Sequence, residues 1–308
     1  MTSCLVLGGA GFIGSHLSQR LLELGHRVRV FDRPGAGGLA LFRPAASLDV
    51  VTGDFLEARD LERALEGIET VFHLVSTTLP KSSNERPEYD LESNVLGTLR
   101  LLEICRRRAA RKIVFVSSGG TVYGIPQSLP IAETHPTEPI CAYGIHKLAI
   151  EKYLHLNHFL HGLDYCALRP ANLYGERQRA DAAQGAVAVF LGRALAGGPI
   201  EIWGDGSATR DYLYVGDAVE ALVRAIDHAG APRVFNLGTG VGTSLNDLVR
   251  QIEILVGHSV QVQRAPARSL DVPANVLDCA LAERALGWRA RTPLAEGLRR
   301  TLAWLRAR

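Results

Sequence analysis

Tyr143 and Lys147 stand four residues apart in Tyr143-Gly144-Ile145-His146-Lys147, a spacing that puts both on one face of a helix. A phenol ordinarily loses its proton near pH 10, and an ammonium beside it favours the phenolate and lowers that value. A positively charged ring nearby would lower it further. The pair therefore reads as a general base able to take the proton of an alcohol near neutral pH. Tyr-x-x-x-Lys recurs by chance in many helices. Here it follows an apolar run that ends in the hydroxyls Ser117-Ser118, 26 residues before Tyr143, and that placement gives the pattern its weight.

An oxidised alcohol needs a hydride acceptor, and the start of the chain offers a place for one. The apolar run Cys4–Leu7 leads into Gly8-Gly9-Ala10-Gly11-Phe12-Ile13-Gly14 and then into a helical pattern. A strand, a turn without side chains and a helix N-terminus bind a pyrophosphate, because backbone N–H groups and the positive end of the helix dipole point at it. Gly8, Gly11 and Gly14, with Phe12 and Ile13 at the helix opening, fit the dinucleotide pattern. Asp32 ends the next apolar run, Val28–Phe31, 18 residues after Gly14. A carboxylate there accepts both hydroxyls of an adenosine ribose and repels a 2′-phosphate, which favours NAD over NADP; the adjacent Arg33 softens that preference.

Elements must bring these two sets together. Apolar runs at Cys4–Leu7, Val28–Phe31, Val50–Thr52, Thr70–Leu74, Lys112–Val116 and Cys166–Leu168 alternate with helical patterns at Ile13–Leu24, Ala58–Leu65, Asp90–Arg107 and Ala142–His161. That alternation predicts a doubly wound α/β fold of Rossmann type, a parallel sheet whose ligands lie beyond the carboxyl ends of its strands. Past Arg169 the pattern loosens: a helix at Ala182–Ala196, the run Pro199–Trp203, a helix at Gly216–His228, and a strand Val234–Leu237 able to rejoin the main sheet. Helix Leu245–Val256, strand Val260–Gln263 and helix Leu294–Arg306 follow. These predict a smaller C-terminal α/β lobe made of separated segments.

The chain has 308 residues, 47% hydrophobic and 21% charged, with net charge +2. This balance suits a large core and points to neither nucleic acid nor a membrane as partner. The basic group Arg106–Arg108 reads as compensation of a helix C-terminus. The first strand begins close to Met1, leaving no space for a signal peptide, and no run spans a bilayer. Five scattered cysteines without CxxC spacing indicate a reducing, cytoplasmic setting. Ten histidines without ligand spacing make a metal unexpected.

Together these motifs resemble the extended short-chain dehydrogenase/reductases, in the branch of nucleotide-sugar epimerases and dehydratases. The resemblance is carried by the glycine motif, Gly53-Asp54, Phe72-His73-Leu74, Asn94-Val95-Leu96-Gly97-Thr98, Thr121-Val122-Tyr123-Gly124, Tyr143 with Lys147, Arg169–Gly175, and Gly206 through Arg210-Asp211-Tyr212. It implies an NAD-binding domain over 1–170 with about 215–240, and a nucleotide-sugar lobe over 171–214 and 241–308. It implies Tyr143 as acid/base and Lys147 as its ribose-binding partner. Asp54 and Phe55 would meet the adenine side of NAD, Leu74 would line the adenosine cleft, and Ser117 would face the cofactor. Asn94 would organise the polar interior. Asn172, Arg210 and Arg268 would hold the sugar diphosphate, a UDP-sugar first; an arginine fork donates two hydrogen bonds in one plane to such a group. It further implies a homodimer through Asn94–Arg107 and Ala142–His161, with Leu96, Leu99, Leu102 and Leu154 as candidate contacts.

One position departs from the family. Gly119 stands where a Ser or Thr usually relays the proton, so Ser118 or Thr121 is expected to serve instead. The same loop offers no carboxylate at Gly120 or Thr121, which removes the acid that the dehydratase and decarboxylase relatives use. What remains is epimerisation, expected at C4 through a transient 4-keto sugar. Two other readings fit the frame: a keto-sugar reductase, and a cofactor-sensing protein without catalysis.

Overall fold

The computed structural model describes residues 1–43, 45–181, 185–268 and 272–308. Seven strands form one parallel sheet: β1 (Ser3–Leu7), β2 (Arg27–Asp32), β3 (Leu48–Thr52), β4 (Thr70–His73), β5 (Lys112–Val116), β6 (Asp164–Pro170) and, later in the chain, β10 (Val234–Leu237). Their order across the sheet is β10-β6-β5-β4-β1-β2-β3. β1 and β4 are neighbours, with Leu7 opposite both Phe31 and His73. At that switch point the strand order reverses and a crevice opens beyond the carboxyl ends. Val234–Leu237 does rejoin the sheet, pairing with β6 from Val234↔Ala167 to Leu237↔Pro170.

The strands are near-continuous apolar runs because both faces of the sheet are covered. Alternation along each strand divides the core in two. Cys4, Val6, Val30, Phe72 and Val114 turn to one face, with Leu17 and Leu21 of α1 (Phe12–Glu23) and Leu222 of a later helix. Leu5, Leu7, Phe31, Val71, Ile113 and Phe115 turn to the other, where Leu61 of α2 (Ala58–Ala64) covers them.

Four helical pieces follow β4 in place of one. α3 (Pro80–Glu85) and α4 (Pro87–Asp90) lead into a π-helical turn at Leu91–Leu96, and α5 (Gly97–Arg107) completes the run. α5 and α6 (Ala142–His161) cover the second face through Leu101, Leu102, Ile150 and Leu154. Gly162, at φ 73°, ends α6, a left-handed position that glycine occupies without a side-chain penalty.

The C-terminal segments carry two small sheets that the sequence pattern hid. β7 (Asn172–Tyr174), β9 (Thr209–Tyr214), β11 (Gly242–Ser244) and β13 (Ala274–Asn275) form one, with β9 at its centre. β8 (Ile200–Trp203) pairs in parallel with β12 (Val262–Ala265), which starts two residues later than the expected Val260. The helices here are α7 (Ala186–Leu195), α8 (Val215–Arg224), α9 (Leu245–Val256), α10 (Ala280–Leu286) and α11 (Leu294–Arg306). Residues 182–184, the expected start of α7, lie outside the described residues. Ser244 caps α9 by accepting from the Asp247 N–H at 3.0 Å, and Arg20 of α1 pairs with Glu220 of α8 at 2.6 Å.

Candidate active site

The turn after β1 is shaped for the backbone of a ligand. Gly8 takes φ 79°, and Gly11 N donates to Gly8 O at 3.0 Å. A Cβ at Gly14 would lie 2.7 Å from the Gly9 Cα and closer still to the Gly8 carbonyl oxygen. Only hydrogen fits there, so the turn and the first turn of α1 lie against each other. No side chain caps α1 at Gly11, and no acid sits in its first turn, which leaves the positive helix end to an anion. Asp32, at the end of β2, accepts from the Ala10 N–H and the Arg33 N–H, each at 2.9 Å. These residues fit a dinucleotide: a side-chain-free cradle for the pyrophosphate and a fixed carboxylate for a ribose.

The other expected cofactor contacts separate into two groups. Leu74 N donates to Leu7 O at 3.1 Å, its main chain lies against Gly8, and its half-buried side chain packs on the core. Asp54 is exposed, with one oxygen accepting from Leu56 N at 2.9 Å. Arg33 is exposed at the end of β2. The Phe55 ring is buried against His73, with centroids 5.2 Å apart, which leaves its main chain to border the crevice. Ser117 is buried and its hydroxyl donates to Glu151.

Tyr143 and Lys147 share one face of α6 where β5 ends. The ammonium stands 5.6 Å from the Tyr143 ring centroid and donates to the Val116 carbonyl oxygen at 2.9 Å. Burial pushes the Tyr143 phenol up to about 12, against a downward pull from the Ser76 hydroxyl. The sequence-based expectation of a phenol lowered by Lys147 is therefore reversed in the protein alone, because desolvation of the phenolate outweighs that charge. Lys147 is itself pushed down to about 8 by burial, with Asp90 and Glu151 pulling it up. His73 lies behind the pair and is pushed down to about 3 by burial and the Lys147 charge, so it stays neutral in the working range.

The loop after β5 has no room for a side chain at Gly119. A Cβ there would meet Leu277 Cδ1 at 2.5 Å and Arg169 O at 2.8 Å, which accounts for the departure from Ser or Thr. Its carbonyl accepts from Asn275 Nδ2 at 3.0 Å, fastening the loop to β13. Ser118 and Asn172 border Gly120, where a Cβ would lie 3.6 Å from Asn172 Oδ1 and 3.9 Å from Ser118 Oγ. Thr121 Oγ1 is buried and, among the described residues, has no hydrogen-bond partner.

In the small sheet that Asn275 fastens to this loop, Arg210 lies in β9 and donates to Thr209 O at 2.9 Å. The Arg268 guanidinium stacks 3.7 Å from the centroid of Trp203 in β8; residues 269–271 lie outside the described residues. Asp211, fully buried beside Arg210, accepts from Thr239 Oγ1 at 2.7 Å and Gly240 N at 3.1 Å. It ties β9 to the loop after β10, joining the small sheet to the large one. Among the described residues no group of His, Cys, Asp or Glu could hold a metal ion.

A family model described as "NAD dependent epimerase/dehydratase family" matches residues 4–238. The chain belongs to this family. It is 40% identical over 308 residues to the UDP-glucose 4-epimerase of Mycolicibacterium smegmatis, covering 98% of each. Its fold is similar to UDP-glucose 4-epimerase from Thermotoga maritima solved with UDP-glucose, at 36% identity, TM-score 0.94 and 99% coverage of each chain. It is also similar to the Thermus thermophilus UDP-glucose 4-epimerase solved with NAD, at 36% identity, TM-score 0.90 and 99% of each chain.

As a member of the NAD dependent epimerase/dehydratase family the chain is an NAD-dependent enzyme, and its interior carries polar residues that motif reading passed over. Glu151, one turn beyond Lys147, is buried and receives Arg169 through Nε at 2.9 Å and Nη2 at 2.6 Å. Arg169 also donates to Tyr123 Oη at 2.8 Å, and Tyr123 donates to Asn236 Oδ1 at 2.6 Å. This chain crosses from α6 through β6 to β10. The signal was present in the sequence: Glu151 follows Tyr143 and Lys147 at helical spacing, on the face that must be buried. Asn94 does organise a polar interior, accepting from Thr77 N at 3.0 Å and donating to Thr77 Oγ1 at 2.8 Å.

Proposed function

We propose that the protein interconverts UDP-glucose and UDP-galactose, inverting the sugar at C4. The reading rests on one observation: Tyr143 and Lys147 stand together at the carboxyl end of β5, in the same sheet as the strand that leads to the glycine turn, with no carboxylate at Gly120 or Thr121. Bound NAD, held by the Gly8–Gly14 turn and Asp32, would supply the hydride acceptor and donor for C4 and a positive charge that favours the phenolate. The protein supplies the rest. Tyr143 takes the proton of the 4-hydroxyl and later gives it back, and Lys147 favours the phenolate and holds a ribose. Ser118 or Thr121 serves as relay hydroxyl on the loop that lacks one at Gly119. Arg210, Arg268 and Asn172 grip the nucleotide diphosphate, which leaves a 4-keto sugar free to turn over among small residues. Asp54, Leu74 and Arg33 border the adenosine.

A homodimer is part of this proposal, with a corrected surface. Leu102 and Leu154 are buried in the core, at 1% and 2% exposure, and cannot also face a partner. Leu96, Ile145, Tyr153, Leu156, Phe159 and Leu160 are the exposed large apolar residues of the same helices, Phe159 at 77%. The thiols of Cys4, Cys105, Cys141, Cys166 and Cys279 are all free, which supports a cytoplasmic setting. No helix among the described residues is long and apolar enough to cross a membrane.

Tyr143→Phe tests the assignment. The variant should bind NAD and UDP-glucose as before and lose about 10²–10⁴-fold in kcat, the usual worth of a positioned acid/base. Turnover within a few-fold of the parent would overturn the reading.

A further inference from the structure

Helix α6 carries a third polar side chain between the two already assigned. His146 is buried at 8% exposure, and its Nδ1 stands 3.0 Å from Asp90 Oδ2. Asp90 is 1% exposed, at the end of α4, and no step of the proposed chemistry uses it. Its carboxylate receives Asn94 Nδ2 at 2.5 Å and the Ser83 hydroxyl. The same Asn94 amide reaches Thr77 Oγ1 at 2.8 Å and Thr78 Oγ1 at 3.4 Å. One carboxylate thus joins α3, the π-helical turn, α6 and the loop after β4. That loop carries Ser76, which meets the Tyr143 phenol.

Stability alone is a poor reason for such a group. Burying a charge carries a desolvation cost, and apolar residues of similar volume often hold the same elements as firmly. Burial by itself would raise the Asp90 carboxyl, but the Ser83, Asn94 and Thr78 donors, with His146 Nδ1 close by, hold it below its ordinary value, so it is an anion at neutral pH.

We propose that Asp90 is a positioning residue for the Tyr143–Lys147 pair, acting through His146 and Asn94, and that its negative charge sets the pH at which the pair works. The inference rests on Tyr143 being the acid/base. The charged and titratable groups around the phenol are few. Lys147, His146 and Glu151 share its helix, Cys141 precedes it, Asp90 faces it from α4, and His73 faces Lys147 from β4. Among these Asp90 raises both the phenol and the ammonium. An uncharged isostere removes that effect, so the phenolate forms more easily and the acid limb of kcat moves to lower pH.

The test is Asp90→Asn, assayed for UDP-glucose to UDP-galactose conversion across pH, alongside Tyr143→Phe. The expected result is a kcat about 10- to 100-fold lower, as for a misplaced reacting group. KM should stay within a few-fold, and the acid limb should be displaced downward. A parental kcat and pH profile, with only thermal stability changed, would overturn the proposal. His146→Gln keeps the carboxylate and gives a second reading where Asp90→Asn does not fold. It should lower kcat several-fold with the acid limb in place, and an unaltered kcat would equally overturn the proposal. An active Tyr143→Phe would sink the underlying reading instead. An inactive Tyr143→Phe with a parental Asp90→Asn profile would sink this inference alone.

Discussion

The two walls of the crevice are made of different material. The cofactor wall is backbone: Gly8 at a left-handed angle, Gly14 in contact with the Gly9 main chain, and the bare N-terminus of α1. The opposite wall is side chain: Arg210 on a central strand and Arg268 stacked on Trp203, a ring that is 40% exposed. A backbone site has few ways to adjust and tolerates almost no substitution. A side-chain site keeps its shape when one member is trimmed and loses only that member's bond. The difference suits an enzyme that must hold its cofactor fast while exchanging its other ligand on each turnover.

The sharpest way to break the comparison is Gly14→Ala. The added methyl has backbone on its near side, which cannot yield as a flexible side chain would. Overpacking of this kind costs about 1–3 kcal/mol and sometimes more, and it displaces the helix end that faces the pyrophosphate. NAD affinity, read by fluorescence titration, should collapse together with a loss on the order of 10²-fold in turnover. Retained NAD affinity would show that the cradle is not made of main chain.

What could be read from the sequence follows the same division. Strands β1, β2, β4, β5 and β6 are buried apolar runs bounded by turns, and the glycine turn is a main-chain requirement written directly in residue type. The small sheet around β9 was not legible, because its strands are short and their pairing joins residues far apart, such as Asn172↔Tyr212 and Ala274↔Thr209. The direction of the Ser117 hydroxyl is hidden for a related reason: a hydroxyl at a strand end can face the crevice or the helix behind it, and only the partner, Glu151, decides. The desolvation that raises the Tyr143 phenol in the protein alone is equally hidden, because helical spacing reports the neighbouring ammonium but not the depth of burial. Asp90 and His146 lie 56 residues apart in the chain, and nothing local marks them as partners.

Gly119→Ser probes the seam between the walls. The residue sits under Leu277 and against the carbonyl oxygen of Arg169, so the substitution that would restore the family's usual hydroxyl should not be accommodated. A cost of about 1–3 kcal/mol is expected, read as a lower Tm, with turnover reduced in step. Leu277→Ala on top of it removes the side-chain half of the clash and should recover part of the loss. A stable, more active Gly119→Ser would instead mean that the loop can retreat and that the hydroxyl was missed for chemistry.

The mildest perturbation is Arg210→Ala. Its guanidinium already donates to Thr209 O, and β9 is held independently by Asp211 through Thr239 and Gly240. Truncation should therefore leave the strand and the NAD cradle in place. On the proposed assignment the loss is the charge-assisted bond to the diphosphate, worth roughly 1.5–3 kcal/mol, or about 10- to 100-fold in binding. That loss should fall on the KM for UDP-glucose, with kcat nearly constant, because the diphosphate is gripped equally before and during hydride transfer. A fall in kcat at constant KM would reverse the assignment, placing Arg210 with the reacting sugar and erasing the distinction between a wall that grips and a wall that reacts.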